Sequence, residues 1–196
     1  MKKIFRFMRR IGILGDIGCG KTYIAKCFGF PVFNADLEVA KIYRHDKKVF
    51  QKLKKKLPNY FDSFPVKKKE IIDAILSNRK NLKKIIKIVH HEVRKKMNDF
   101  LRKNKHKKFV VLDIPLLLEN KINKKKDILI FVESKKSEIL KRLRKRKNFN
   151  MKIVNNFKRI QLSLVLKKKK SQFIIKNNFK KNSVKVRVKE IVKNLV

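Results

Sequence analysis

Residues 15–22 read Gly-Asp-Ile-Gly-Cys-Gly-Lys-Thr and fit the phosphate-binding pattern Gly-x-x-x-x-Gly-Lys-Ser/Thr at every fixed position: Gly15, Gly20, Lys21 and Thr22. A polyphosphate requires a concave ring of donors. Glycines let the backbone curl so that successive N–H groups face inward. Lys21 is placed to reach the outer phosphates, and the Thr22 hydroxyl to hold Mg²⁺. The flanks agree with this reading. Residues 11–14 (Ile-Gly-Ile-Leu) form a short apolar run suited to a buried strand. Residues 22–28 suit a helix closed by Gly29, with Pro31 just beyond. The helix N-terminus adds partial positive charge to the same place. A glycine-rich turn that binds nothing is the alternative, and the strand before and capped helix after the loop argue against it.

Beyond the loop, apolar runs and helical stripes alternate. Val32 and Phe33 give a second short strand, ending in Asn34-Ala35-Asp36. Helical spacing follows over 37–43, 49–57 and 68–76, with Pro58 and Asn59 breaking the second of these. Residues 81–101 are the longest amphipathic segment, carrying Leu82, Ile85, Ile86, Val89, Val93, Met97 and Leu101 on one face. This block exceeds a simple crossover and suits a helical insertion that holds a second substrate. Residues 109–113 (Phe-Val-Val-Leu-Asp) have the pattern of a buried parallel strand whose tip enters a site. Further strands are expected at 128–132 and 173–175. Helices are expected at 137–146, with Ser137 as N-cap, and at 184–195. Such alternation, opened by a phosphate loop, predicts an α/β fold with a doubly wound parallel sheet and ligands at the C-terminal strand ends.

Two acids fall at those strand ends. Asp36 reads either as a general base or as the N-cap of the helix that follows. Asp113 reads either as a carboxylate for Mg²⁺ or for the base, or as a strand-end residue, though burying an unpaired acid there is costly. On residues alone, the Arg142 and Arg146 face reads as solvated. His90 and His91 read equally as one core-facing and one exposed helical histidine or as residues with a substrate role, and Tyr23 reads as packing more than as function.

The chain has 196 residues, 43% of them hydrophobic, enough to bury the core of one compact domain with insertions. No apolar run approaches the ~20 residues of a membrane span. Residues 1–10 are basic and lack the apolar core of a secretory signal, so a cytoplasmic protein is expected, with 1–7 as an extension before the first strand. Cys19 and Cys27 lack metal-ligand spacing, and His45, His90, His91 and His106 do not complete any; two reduced thiols are the expectation. The formal charge of +42 raises the possibility of a nucleic-acid partner. The basic runs at 54–56, 67–69, 124–126 and 167–170 are scattered, however, and carry no aromatic-rich basic motif. Expected instead is non-specific, salt-sensitive attraction to polyanions, without a specific nucleic acid.

These motifs together resemble dephospho-CoA kinase, of the P-loop kinase superfamily. Its loop, Gly-Gly-Ile-Gly-Ser-Gly-Lys-Ser-Thr, stands here as 15–23, and its Asp-Ala-Asp as Asn34-Ala35-Asp36. Its Asp-Ile-Pro-Leu-Leu-Phe-Glu stands as 113–119 (Asp-Ile-Pro-Leu-Leu-Leu-Glu), the most diagnostic stretch. Its His-Pro-x-x-Arg stands as 90–94, its lid Arg-x-x-x-Arg supplies Arg142 and Arg146, and Gln161 and Asn177 match around the last strand. The resemblance runs from about residue 10 to residue 196. It implies a three-layer P-loop kinase fold with a parallel five-stranded sheet, a helical substrate-binding insertion (about 37–105) and a lid (about 137–165). The nucleotide-binding core would be about 10–36, 109–135 and 172–196.

The implied activity is ATP-dependent phosphorylation of the ribose 3′-hydroxyl of dephospho-CoA, with Mg²⁺. Gly18, Cys19, Gly20, Lys21, Thr22 and Tyr23 would wrap the ATP phosphates, and Asn177 would lie by the adenine. Asp36 would be the base, and Thr22 and Asp113 would hold the metal. His90, Arg94, Asp113, Pro115, Leu116 and Glu119 would face dephospho-CoA, and Lys21, Arg142 and Arg146 would stabilise the transferring charge. A nucleoside monophosphate kinase shares the loop and lid, but 34–36 and 113–119 discriminate against it. This chain also departs from the pattern. Asp16 replaces a glycine beside the polyphosphate, Asn34 replaces an acid, and His91 replaces a proline, so no kink is expected there. Lys147-Asn148 replaces an Asp-Gly turn.

Overall fold

A computed structural model describes residues 8–147 and 149–195. The expected extension at 1–7 and the turn residue Asn148 lie outside the described residues. Five strands form one parallel sheet: β1 (Arg9–Gly15), β2 (Val32–Asn34), β3 (Phe109–Asp113), β4 (Ile128–Glu133) and β5 (Phe173–Lys176). Their order is β2-β3-β1-β4-β5. The continuous apolar runs in β3 and β4 are those of strands covered on both faces, and nearly every residue in them is buried. Because β1 lies between β3 and β4, the chain leaves it toward one side of the sheet and later returns on the other. That switch point is where an open α/β sheet forms its crevice.

Register sets the site. Gly12 pairs with Leu112, Gly15 with Val132, and Asn34 with Asp113. The last pairing brings the ends of β2 and β3 level.

The described residues divide into two compact units. One comprises the sheet and the segments to 34, 101–149 and 161–196. In it, helix α1 (Lys21–Cys27) packs on β1, β2 and β3, and helix α8 (Leu164–Lys169) packs on β1. Helix α9 (Lys181–Leu195) packs on α1 and β5 through Val184, Val188 and Ile191. Helix α6 (Lys136–Arg144) buries Ile139 and Leu143. Gly29, at φ 70°, closes α1 as expected, its N–H donating to Lys26 O.

The second unit, residues 35–100 with 150–160, is helical. It contains α2 (Ala35–His45), α3 (Lys47–Lys56), α4 (Lys68–Ser77), most of α5 (Arg79–Lys103) and α7 (Met151–Arg159). Asp46 caps α3, its Oδ1 accepting from Val49 N at 3.0 Å. The α5 stripe Leu82, Ile85, Val89, Val93 and Met97 is buried, and the helix runs unbroken through His91.

Several expectations are corrected. The N-cap position of α6 is Lys135, not Ser137, because the Ile139 N–H already bonds Lys135 O and Ser137 lies inside the first turn. The helix ends at Arg144, so Arg146 stands beyond it in a turn. Asp36 does not precede α2 but sits in its first turn, since the helix starts directly after β2. Helices α7 and α8, capped by Asn150 and Ser163, were not anticipated. Tyr23 is 36% exposed. No helix among the described residues is long and apolar enough to cross a membrane.

Candidate active site

The loop between β1 and α1 turns through Gly18 (φ 84°) and Gly20 (φ 95°), conformations that side chains resist. At Gly20 the constraint is also steric. A Cβ there would lie 2.4 Å from Asn177 Nδ2. Asn177 braces the loop by donating from Nδ2 to Cys19 O at 2.8 Å, while its Oδ1 accepts the Phe179 N–H at 2.9 Å. Ser134 Oγ donates to the same Cys19 carbonyl. Both polar atoms of Asn177 are therefore engaged in holding the loop. Cys19 is buried, and burial pushes its thiol up from the ordinary value, with Lys21 partly offsetting this. It is a packed thiol, not a nucleophile.

Lys21 Nζ donates to Asp16 O at 2.7 Å and to Gly15 O at 3.3 Å, so the ammonium lies folded across its own loop. Asp16 is buried, and its Oδ1 accepts the Ile17 N–H at 2.7 Å. The extra acid is thus turned onto the next backbone amide.

At the level ends of β2 and β3, three side chains converge. Thr22 Oγ1 donates to Asp113 Oδ2 at 2.6 Å, and Asn34 Nδ2 donates to the same oxygen at 2.6 Å. Asp113 is 3% exposed, and these two bonds compensate its burial. Asn34 is the residue whose role the sequence did not disclose. Where the resembled pattern has an acid, the amide here supplies a donor, and the register with Asp113 puts it in reach. Thr22 and Asp113 offer hard oxygen ligands of the kind Mg²⁺ prefers, and too few for a protein-only cage, which suits an ion shared with phosphates.

Arg142 stacks on Phe179, its guanidinium carbon 4.4 Å from the ring centroid, and Phe179 holds φ 63°. Arg142 and Arg146 are exposed. In the 113–119 stretch, Pro115 is half-buried and Leu116 buried, while Glu119 is ion-paired to Lys167. Lys167 read from sequence as one of a basic run, yet it is fully buried.

In the helical unit, Asp36 is exposed, His91 exposed and His90 half-buried. Burial, and then the Arg94 charge, lower His90 below its ordinary value, so it is neutral at pH 7.

A parallel sheet with this loop at its switch point, a buried acid bonded to the loop threonine and an arginine-bearing helix beyond β4 defines a P-loop kinase. Similarity to known proteins narrows this. The family model for dephospho-CoA kinase matches residues 9–183. A dephospho-CoA kinase of Wolbachia pipientis wMel is 33% identical over 190 residues, covering 94% of this chain and 97% of that protein. One from Bartonella henselae is 29% identical, covering 96% and 99%. Among solved structures, TT1252 from Thermus thermophilus superposes with a TM-score of 0.77 at 25% identity, covering 97% of this chain and 99% of that one. The chain belongs to the dephospho-CoA kinase family.

Proposed function

We propose that the protein transfers the γ-phosphoryl group of ATP to the ribose 3′-hydroxyl of dephospho-CoA, giving CoA and ADP. The observation that carries this reading is the Thr22–Asp113–Asn34 junction at the head of the phosphate loop, in a chain whose family match spans nearly its whole length.

ATP phosphates lie against the 18–23 backbone. Lys21 exchanges its bonds to Gly15 O and Asp16 O for the outer phosphates. Thr22 Oγ1 and Asp113 would hold Mg²⁺, which when bound supplies charge neutralisation across the phosphates. Asp36, exposed in the first turn of α2, accepts the proton of the attacking hydroxyl. Arg142 leaves the Phe179 face, and with Arg146 meets charge spreading onto the transferring group. Neutral His90 offers a hydrogen bond, and Arg94 a charge, to the anionic acceptor. The protein acts as one kinase domain over 10–196 with 37–105 as its acceptor-binding part.

The test is turnover of ATP, Mg²⁺ and dephospho-CoA by the purified protein and by Asp36→Asn. The variant is expected to bind ATP as the parent does and to lose turnover. Full turnover in Asp36→Asn removes Asp36 as the base.

A further inference from the structure

All strands of a parallel sheet begin at the same edge, here the one remote from the phosphate loop, which follows the C-terminal end of β1. The segments that lead into four of the strands are basic. Residues 105–108 (Lys-His-Lys-Lys) precede β3, Arg9 opens β1, residues 124–126 (Lys-Lys-Lys) precede β4, and Lys169 and Lys170 precede β5. All of these except Lys108 are exposed. Strand order and register set the segments side by side. Arg9 N donates to Lys108 O at 3.0 Å, Ile11 is level with Ile128, and Gln172 N donates to Leu129 O at 2.9 Å. With neighbouring strands about 4.8 Å apart, they cover about 15 Å of one edge. Basic runs that are scattered along the sequence are thus gathered by the fold.

The acids are sorted the other way. Asp113 and Glu133 stand at C-terminal strand ends, and Asp16 in the phosphate loop. At the starting edge Asp127 is the acid at hand, and Arg10 occupies both of its oxygens. Arg9 and Lys108 each lie 5.6 Å from the centroid of the buried Phe109 ring, so one ring steadies two like charges. None of the exposed cations of this edge enters an ion pair among the described residues. Like charges held together without counter-charges repel, and a bound polyanion relieves that repulsion.

We infer that the edge where the strands begin is a docking surface for duplex nucleic acid, held through its phosphates without regard to base sequence. A lipid surface calls for apolar side chains that insert, and the exposed large apolar residues all lie outside these segments. A protein partner calls for aromatic or apolar anchors, and lysine is depleted in such interfaces. Single strands are gripped by stacking, whereas the aromatic rings at this edge, Phe109 and Phe30, are buried and half-buried against each other with centroids 5.1 Å apart. What the edge does offer is a row of ammonium groups, which suits the closely spaced charges of a duplex and the counterion release that drives its binding. The inference goes beyond the kinase reaction and does not depend on the acceptor.

The experiment compares two variants of equal net charge with the parent. Lys107→Gln/Lys125→Gln/Lys126→Gln/Lys169→Gln takes four charges from the edge. Lys48→Gln/Lys52→Gln/Lys83→Gln/Lys87→Gln takes four exposed charges from α3 and α5. Fluorescence anisotropy with a labelled DNA duplex of about 20 base pairs gives the affinity of each between about 50 and 200 mM salt. The edge variant is expected to lose roughly 10- to 100-fold in affinity at about 100 mM salt, and its slope of log K against log salt to become shallower by roughly three. The second variant is expected to stay within about threefold of the parent, and both to keep the parental thermal midpoint. Equal losses in the two variants would assign the binding to net charge and overturn the proposal. So would an edge variant that binds the duplex as the parent does, or one that loses binding to phosphatidylserine vesicles while its duplex binding is unchanged.

Discussion

Thr22 and Asp113 are joined by a 2.6 Å hydrogen bond, and Asn34 donates to the same carboxylate oxygen at 2.6 Å. Residues from the loop helix and from two neighbouring strand ends thus share one charge. The adjacency follows from the β2–β3 register, which pairs Asn34 with Asp113. Replacing Asn34 by the acid of the resembled motif sets two carboxylates against each other, which disfavours ionisation of both. Asn34→Asp is expected to lower the nucleotide-free thermal midpoint at pH 8 by about 2–8 °C. Addition of ATP and Mg²⁺ recovers most of the loss. Differential scanning fluorimetry reads both, and an unchanged nucleotide-free midpoint contradicts the shared-charge account.

Gly20→Ala meets two obstacles, a φ of 95° and the Asn177 amide 2.4 Å from the new carbon. Displacing Asn177 releases Cys19 O and with it the loop. Turnover is expected to fall at least ~10²-fold, with ATP affinity weakened, the loss coming from misplaced donors to the phosphates. Steady-state kinetics and calorimetric ATP titration check this.

At the opposite end of the sheet, Arg10 forks onto both oxygens of buried Asp127, and its Nη2 donates to Ile122 O. Asp127 also accepts the Lys124 N–H at 2.8 Å. Asp127→Asn strands a buried guanidinium and is expected to cost about 3–5 kcal/mol in urea unfolding. Arg10→Met/Asp127→Leu is expected to recover most of it. Equal losses in both variants would mean that the backbone bonds of Asp127, rather than the charge pair, matter.

The lowered proton affinity of His90 ties stability to pH. On acidification the unfolded chain takes up the proton first. The His90 contribution is fully present above the unfolded value, about pH 6.5, and is lost as pH falls through the lower folded one. His90→Gln is expected to fall less in urea midpoint than the parent between pH 7.5 and 5.5. Parallel curves would contradict this.

The parts legible in the sequence were those set by local pattern. Continuous apolar runs marked β3 and β4, the stripe from Leu82 to Met97 marked α5, and the glycine spacing marked the loop. Partners fixed only by the fold were not legible. Asn34 became a donor through register, Lys167 was one lysine among four in a row, and Phe179 met Arg142 across a long sequence separation. Ser137 misled because a cap depends on where the chain enters the helix, and Lys135 O had already taken the first intrahelical bond. Helix α7 has only three apolar residues after its first, Ile153, Val154 and Phe157, a stripe too short to stand out beside that of α5, and all three are half-buried.

The central claim is the identity of the phosphoryl acceptor. A coupled ATPase-linked assay with a panel of dephospho-CoA, shikimate, AMP and adenosine measures it directly, with mass spectrometry of the product. The account predicts turnover with dephospho-CoA far above the others, phosphate on the 3′-oxygen, and loss of that turnover in Asp36→Asn. Turnover that favours another acceptor, or is absent with dephospho-CoA, would contradict it.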